Sequence, residues 1–337
     1  MRIDFPVIAY AAVGAGGLFF ACTATTTTHV PGDDAGPEPV ADSSTEPDTS
    51  TVIPADDSGV DASDAATVTP QAHVRIAHWS PDAPAVDVCF NAVGAPWTGQ
   101  VPQLAQIVAA ADAGSLGDGG AAGITFPQVT SYLIIAPDSY EVRLVAAGSK
   151  DCSTSVVDLA SVTLAANSYT TIAAVGEAAP VATDQPLSLV PFGDEVSAPA
   201  GQIALRFINA SPSLSPADLG TGSLAGAGGA FAPLFTGVAF GTTGTGSDAG
   251  TVDANGYVAI NPLATATLSA HTTASAADAT VALNDVTIAP TSATTVALVN
   301  GVSNAPPSGY PKLLQCADAD NSTGTNLLST CSIISTQ

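Results

Sequence analysis

The feature that most constrains this chain is that it writes one stretch twice. Residues 74–88 (VRIAHWSPDAPAVDV) are matched by residues 205–219 (LRFINASPSLSPADL) at a constant offset of 131, the difference between 205 and 74. Arg75 aligns with Arg206, Ser80 and Pro81 with Ser211 and Pro212, and Asp87 with Asp218, while His78 becomes Asn209 and Asp82 becomes Ser213. A repeat at domain-sized spacing predicts two copies of one fold. Within each stretch an alternating run, a Ser-Pro turn and a second alternating run predict strand, corner, strand.

The order continues downstream. After a Gly- and Ala-rich insertion over about 96–123, with one short helix expected around 101–111, residues 132–135 and 140–145 flank the turn 136–139 and read as a hairpin. Runs at 162–164 and 169–175 follow. The second copy echoes these at 257–260, 286–288 and 294–296, with the offset falling to 125 (257 minus 132) and then 124 (286 minus 162), as insertions in loops allow. Aromatics make up 5% of the chain against 31 Gly and 25 Pro, so thin cores of Ala and β-branched side chains between short strands are expected. The fold class read from this is all-β: two tandem antiparallel β-sandwich domains, immunoglobulin-like in layout, after a signal peptide and a disordered acidic linker. The copies are bounded at 73–177 and 203–302, with a linker at 178–202 and a tail at 303–337.

Residues 1–22 have Arg2, an apolar centre and small residues before Cys22, the layout of a signal peptide. Residues 19–22 (FFAC) resemble a bacterial lipobox, which implies acylation of Cys22 and a lipid anchor; cleavage by ordinary signal peptidase would instead give a secreted protein. Residues 23–72 carry ten acidic groups and no Lys or Arg among Thr, Ser and Pro, a composition that cannot bury enough apolar surface to offset its conformational entropy. As a flexible coil this spacer reaches about 40 Å. An anchor followed by a spacer places the folded body in the cell envelope, at the outer membrane or cell surface, with the lipid as its only membrane attachment. The formal charge of -24 excludes nucleic acid as a partner.

Four cysteines remain in the body, an even set that an exported protein oxidises. The expected pairing is Cys89 with Cys152 and Cys316 with Cys331. On the chain-entropy model such loops contribute roughly 4 and 3 kcal/mol.

Residues 78–88 (HWSPDAPAVDV) closely resemble the signature of the bacterial domain of unknown function (DUF) 4397 family. The run at 140–145 and the closing run 169–176 fit that family too. The resemblance implies exported or surface proteins with a β-sandwich fold and assigns no catalytic residues.

His78, Ser80, Asp82 and Asp87 lie within ten residues, so an exported hydrolase using His78 with Ser80 or Asp87 is the alternative reading. Replacement of His78 by Asn209 argues against it, because both side chains hydrogen-bond but only His shuttles protons near neutral pH. A structural role for Arg75, His78, Ser80, Pro81, Asp82 and Asp87, and for Arg206, Asn209, Ser211, Pro212 and Asp218, accounts for both copies, and a non-enzymatic protein is expected. No His-Glu-x-x-His or paired Cys-x-x-Cys occurs, so no metal or cofactor is expected. Asp112, Asp118, Asp248, Asp253 and Asn255 sit in Gly-rich loops but lack calcium-loop spacing. Trp79 and Trp97, the two tryptophans, are the candidate anchors for a surface glycan or an envelope protein. Nothing in the sequence sets an oligomeric state.

Overall fold

Alternating apolar residues dictate where each strand turns its side chains, and the computed structural model, which describes residues 69–110, 123–181, 184–222, 231–272, 281–300, 311–319, 328 and 331–333, shows an all-β chain with one short helix among them. The first half runs β1 (Ala72–His78), β2 (Val86–Ala92), α1 (Gln103–Ala110), β3 (Leu133–Ile135), β4 (Asp138–Ala146), β5 (Val157–Leu164), β6 (Tyr169–Val175) and β7 (Ser188–Asp194). The second runs β8 (Ile203–Asn209), β9 (Ala217–Thr221), β10 (Ala232–Val238), β11 (Thr242–Thr243), β12 (Tyr257–Ile260), β13 (Leu263–Thr272), β14 (Val281–Ile288), β15 (Ala293–Val299), β16 (Lys312–Ala317) and β17 (Cys331–Ile333).

Each half contributes two sheets. In the first, β3-β1-β6-β7 and β2-β4-β5 enclose a core that includes Val74 and Ile76 of β1, Val88 of β2, Leu144 of β4 and Ile172 of β6. In the second, β8 lies between β12 and β15, with β16 and β17 beyond, opposite β10-β9-β13-β14, and Leu205, Phe207, Leu219, Leu268 and Val296 fill the space between.

Three features differ from the sequence reading. Pairing is not antiparallel throughout, since β1 pairs with β6 and β8 with β15 in parallel. These four strands are buried along nearly their whole length, the setting in which parallel pairs are usually found. The expected hairpin at 132–145 is also absent: β3 pairs with β1 and β4 with β2 and β5, so the chain changes sheets at Ala136 and Pro137, where proline interrupts the ladder. Residues 178–202, read as linker, contain β7, which pairs with β6 over seven residues, and the tail supplies β16 to β15 in the same way. The disulfides join Cys89 to Cys152 and Cys316 to Cys331.

Residues 64–337 pack as one compact unit. Period-two alternation turns Ala77, Trp79, Ala173 and Val175 away from the first core, and Ile208, Ala210, Ala297 and Val299 away from the second. These side chains meet in a third apolar cluster with Phe192, Leu314 and Cys316. The small alanines at 77, 173, 210 and 297 allow the central sheets of the two halves to approach closely.

Because each half covers an apolar face of the other, neither is complete alone. Residues 69–200 expressed by themselves should self-associate or lose cooperative unfolding, as read by sedimentation and thermal melting. A monomeric half that melts as sharply as the whole chain would contradict this packing.

Candidate functional site

The repeated arginines are both buried charges. Arg75 and Arg206 project from β1 and β8 toward the junction of the halves, 2% and 0% exposed. The Arg75 guanidinium donates to Asp318 Oδ1, to the Ala317 carbonyl at 3.3 Å and, through Nε, to Thr171 Oγ1 at 2.7 Å. Arg206 mirrors this, donating to Asp194 Oδ1 at 2.5 Å, to the Gly193 carbonyl at 2.6 Å and to Thr295 Oγ1 at 3.1 Å through Nε. Each carboxylate is held by its own half: Asp194 Oδ2 accepts from Tyr132 Oη at 2.8 Å and Thr171 at 2.6 Å, and Asp318 Oδ2 from Tyr257 Oη at 2.8 Å and Thr295 at 2.7 Å. The halves therefore exchange arginines across a shared buried network.

Burial alone would disfavour these charges, and the pairing outweighs it. Desolvation opposes the Arg75 cation, but Asp194 and Asp318 hold its pKa above the ordinary value. Desolvation likewise pushes Asp194 up, but Arg75 and Arg206 bring it below the usual carboxylate range. Asp194 and Asp318 were missed in the sequence, although their spacing of 124 (318 minus 194) equals that of Thr171 and Thr295.

The Ser-Pro corner follows the arginine strand. His78 is fully buried, its Nε2–H donating to the Pro84 carbonyl at 2.9 Å, and burial lowers its pKa. Asn209 does the same work in the second copy, donating to Leu214 O at 2.6 Å and accepting from the Ser211 amide at 3.1 Å. Ser80 points to Asp82 Oδ1 at 3.4 Å, and the Asp82 carboxylate accepts the amides of Ala178 and Ala179 at 2.7 and 2.9 Å. Asp87 receives the amides of Leu104 and Ala105 at 2.8 and 3.0 Å and thereby caps the N-terminus of α1. Asp218 receives the Gly237 amide of β10 at 2.6 Å, so in both copies this aspartate pins the insertion. The hydrogen bonds of His78, Ser80 and Asp87 lead to three different places and do not assemble a nucleophile with its base.

Part of this site, including Arg75, His78, Asp87, Thr171, Asp194, Arg206 and Asn209, lies inside a segment that matches a known family model, while Tyr257, Thr295 and Asp318 lie beyond it. Residues 72–219 match the family model described as Domain of unknown function (DUF4397). The match begins at β1, takes in the whole first half and ends with the second copy of the motif at Leu219. No curated protein matches the chain.

The remaining expectations sort by burial. Trp79 is 1% exposed and plugs the cluster between the halves, so it is not a surface anchor. Its counterpart Ala210 lies in the same cluster. Trp97 is half-buried against Cys89, Val145 and Cys152. Asp253 Oδ1 accepts the amides of Asn255 and Tyr257, each at 2.9 Å, and so shapes a turn. Among the described residues no group of three or more His, Cys, Asp or Glu is placed to hold a metal ion. Asp112, Asp118 and Cys22 lie outside the described residues.

One carboxyl cluster was not anticipated. Glu177, 2% exposed, hydrogen-bonds Asp184 near Asp82, and its Oε1 has no partner. The loop that carries it touches the second copy where the Gln185 amide meets the Pro212 carbonyl at 3.3 Å. Burial first, then Asp184 and Asp82, push the Glu177 carboxyl from 4.5 up to about 7.

Two predictions come from these groups. Removing one partner of a buried pair strands the other charge, so Asp194→Ala and Asp318→Ala should each cost about 3–5 kcal/mol in denaturant titrations; losses below about 1 kcal/mol would refute the network's role. Glu177 favours the folded state in its protonated form, a contribution complete below pH 4.5 and lost as pH rises through about 7. Melting of Glu177→Gln should accordingly exceed wild type at pH 8 and converge with it at pH 5, and parallel profiles would contradict the assignment.

Proposed function

We propose that this chain is a non-enzymatic lipoprotein of the cell envelope, in which two tandem DUF4397-type copies, each an immunoglobulin-like β-sandwich, act in adhesion, ligand binding or surface architecture. The observation that carries this reading is that the polar residues of the repeated motif are committed to holding the structure together. Arg75 and Arg206 bind carboxylates across the junction, His78 and Asn209 brace the corner, and Asp87 and Asp218 fasten the insertions.

Two disulfides fit an oxidising compartment outside the cytoplasm. Among the described residues no helix is long and apolar enough to cross a membrane, and in this reading Cys22 carries the attachment through its acyl chain. The acidic spacer at 23–72 then holds the paired sandwiches away from the bilayer, where like charge on the body and on anionic headgroups favours separation. The hydrolase reading is the less favoured one, because His78 donates to a carbonyl and Ser80 faces Asp82.

Metabolic labelling with a fatty-acid analogue should mark the wild-type protein and leave Cys22→Ser unlabelled and released from the envelope fraction. Label that persists in Cys22→Ser, or none in wild type, would mean simple secretion.

A further inference from the structure

We propose that the cleft beside Trp97 is a binding site for a neutral pyranose ring of a surface glycan, recognised by Trp97, Arg143, Asp158 and Glu141. This rests on the ligand-binding reading above and deepens it. The cleft has a volume of about 270 Å³ and is lined by those four residues with Val142, Leu159 and Ala160. Ligand pockets for drug-sized molecules run from about 300 Å³ upward, so this one suits a single ring at a time.

The platform is built before any ligand arrives. The Trp97 indole packs on the Cys89–Cys152 disulfide and Val145, and the Arg143 guanidinium lies 4.3 Å from the ring centroid. Arg143 is fixed twice more, to the Asp158 carboxylate at 3.2 Å and to the Cys152 carbonyl at 3.1 Å. Glu141 is steadied by the Gly94 amide at 2.9 Å. A half-buried aromatic surface therefore adjoins a guanidinium and two carboxylates with limited freedom to lose on binding.

This combination suits a sugar. A pyranose offers an apolar C–H face to an indole, and its neighbouring hydroxyls match a paired charged donor and acceptor. Charge decides the subclass. Asp158 and Glu141 outnumber Arg143, and the chain carries -24 overall, so polyanionic glycans are repelled and a neutral ring is favoured.

The fold does not require these residues. Cys89 stands opposite Arg143 as Gly220 stands opposite Ser269, so Ser269 occupies the place of Arg143 in the second copy. Ser269 is buried and bonds the Gly222 carbonyl, and Phe231 closes over Gly220. The same surface is sealed in one half and open in the other. Among the described residues Arg143, 23% exposed, is the one guanidinium that reaches solvent, because Arg75 and Arg206 are buried.

The test is calorimetric titration of the whole mature protein with neutral gluco-, galacto- and manno-oligosaccharides, with oligogalacturonate as the charged comparison. At least one neutral series should bind saturably. Trp97→Ala and Arg143→Gln should each weaken it roughly tenfold or more, and Trp97→Phe should retain part of the affinity because it keeps an aromatic face. Arg143→Gln should melt with wild type and carries the test if Trp97→Ala is unstable. Neutral-sugar binding unchanged in Arg143→Gln and Trp97→Phe alike would overturn the site while leaving the ligand-binding reading intact. Binding of oligogalacturonate alone, or of no glycan, would overturn the ligand class. A separate screen against envelope proteins then decides whether the body binds ligands at all.

Discussion

The exchange of arginines between the two halves is the interaction on which the rest of this structure depends. Buried charges are costly unless every hydrogen-bonding position is met. Here each guanidinium has a carboxylate, a carbonyl and a threonine, and each carboxylate has a tyrosine, a threonine and an arginine. Such a network tolerates one relative placement of the two central sheets, and the alanine-rich cluster beside it supplies the contact area. Specificity of assembly comes from the polar end, and driving force from the apolar end.

Much of this was legible in the residues, and the gaps have physical causes. Strand positions followed from alternation, because one face of each sheet meets a core. The same rule concealed the parallel pairs: β1, β6, β8 and β15 meet a core on both sides, and direction of pairing leaves no mark in the period. Asp194 and Asp318 escaped notice because their surroundings, Phe-Gly-Asp-Glu and Cys-Ala-Asp-Ala, share little beyond the carboxylate. Asp194 lay in the segment 178–202 read as a linker, and Asp318 in the segment 303–337 read as a tail. The strand β7 forms there despite Pro191 because it is the outermost strand of its sheet, where a missing amide can be tolerated.

Trp79 shows how a repeat can mislead. The motif carries Trp79 in one copy and Ala210 in the other, yet both side chains lie in the same inter-half cluster, so a large residue from one copy and a small one from the other share one space. Trp97, with no evident counterpart in the motif, was the more informative tryptophan. The Ser-Pro-Asp corner was read as a possible reaction centre on composition alone; once the partners of His78, Ser80 and Asp87 are known, it is a joint that sets the angle between strands and holds the insertion.

The reciprocal contacts around Arg75 and Arg206 have the layout of a two-fold dimer written on one chain. In a true homodimer every substitution appears on both subunits, and a surface can change only in ways that suit itself. Joining the copies through β7 removes that restriction. One half is free to close its outer sheet with Phe231 while the other keeps Trp97 beside an open cleft, so covalent fusion is what permits the two halves to differ.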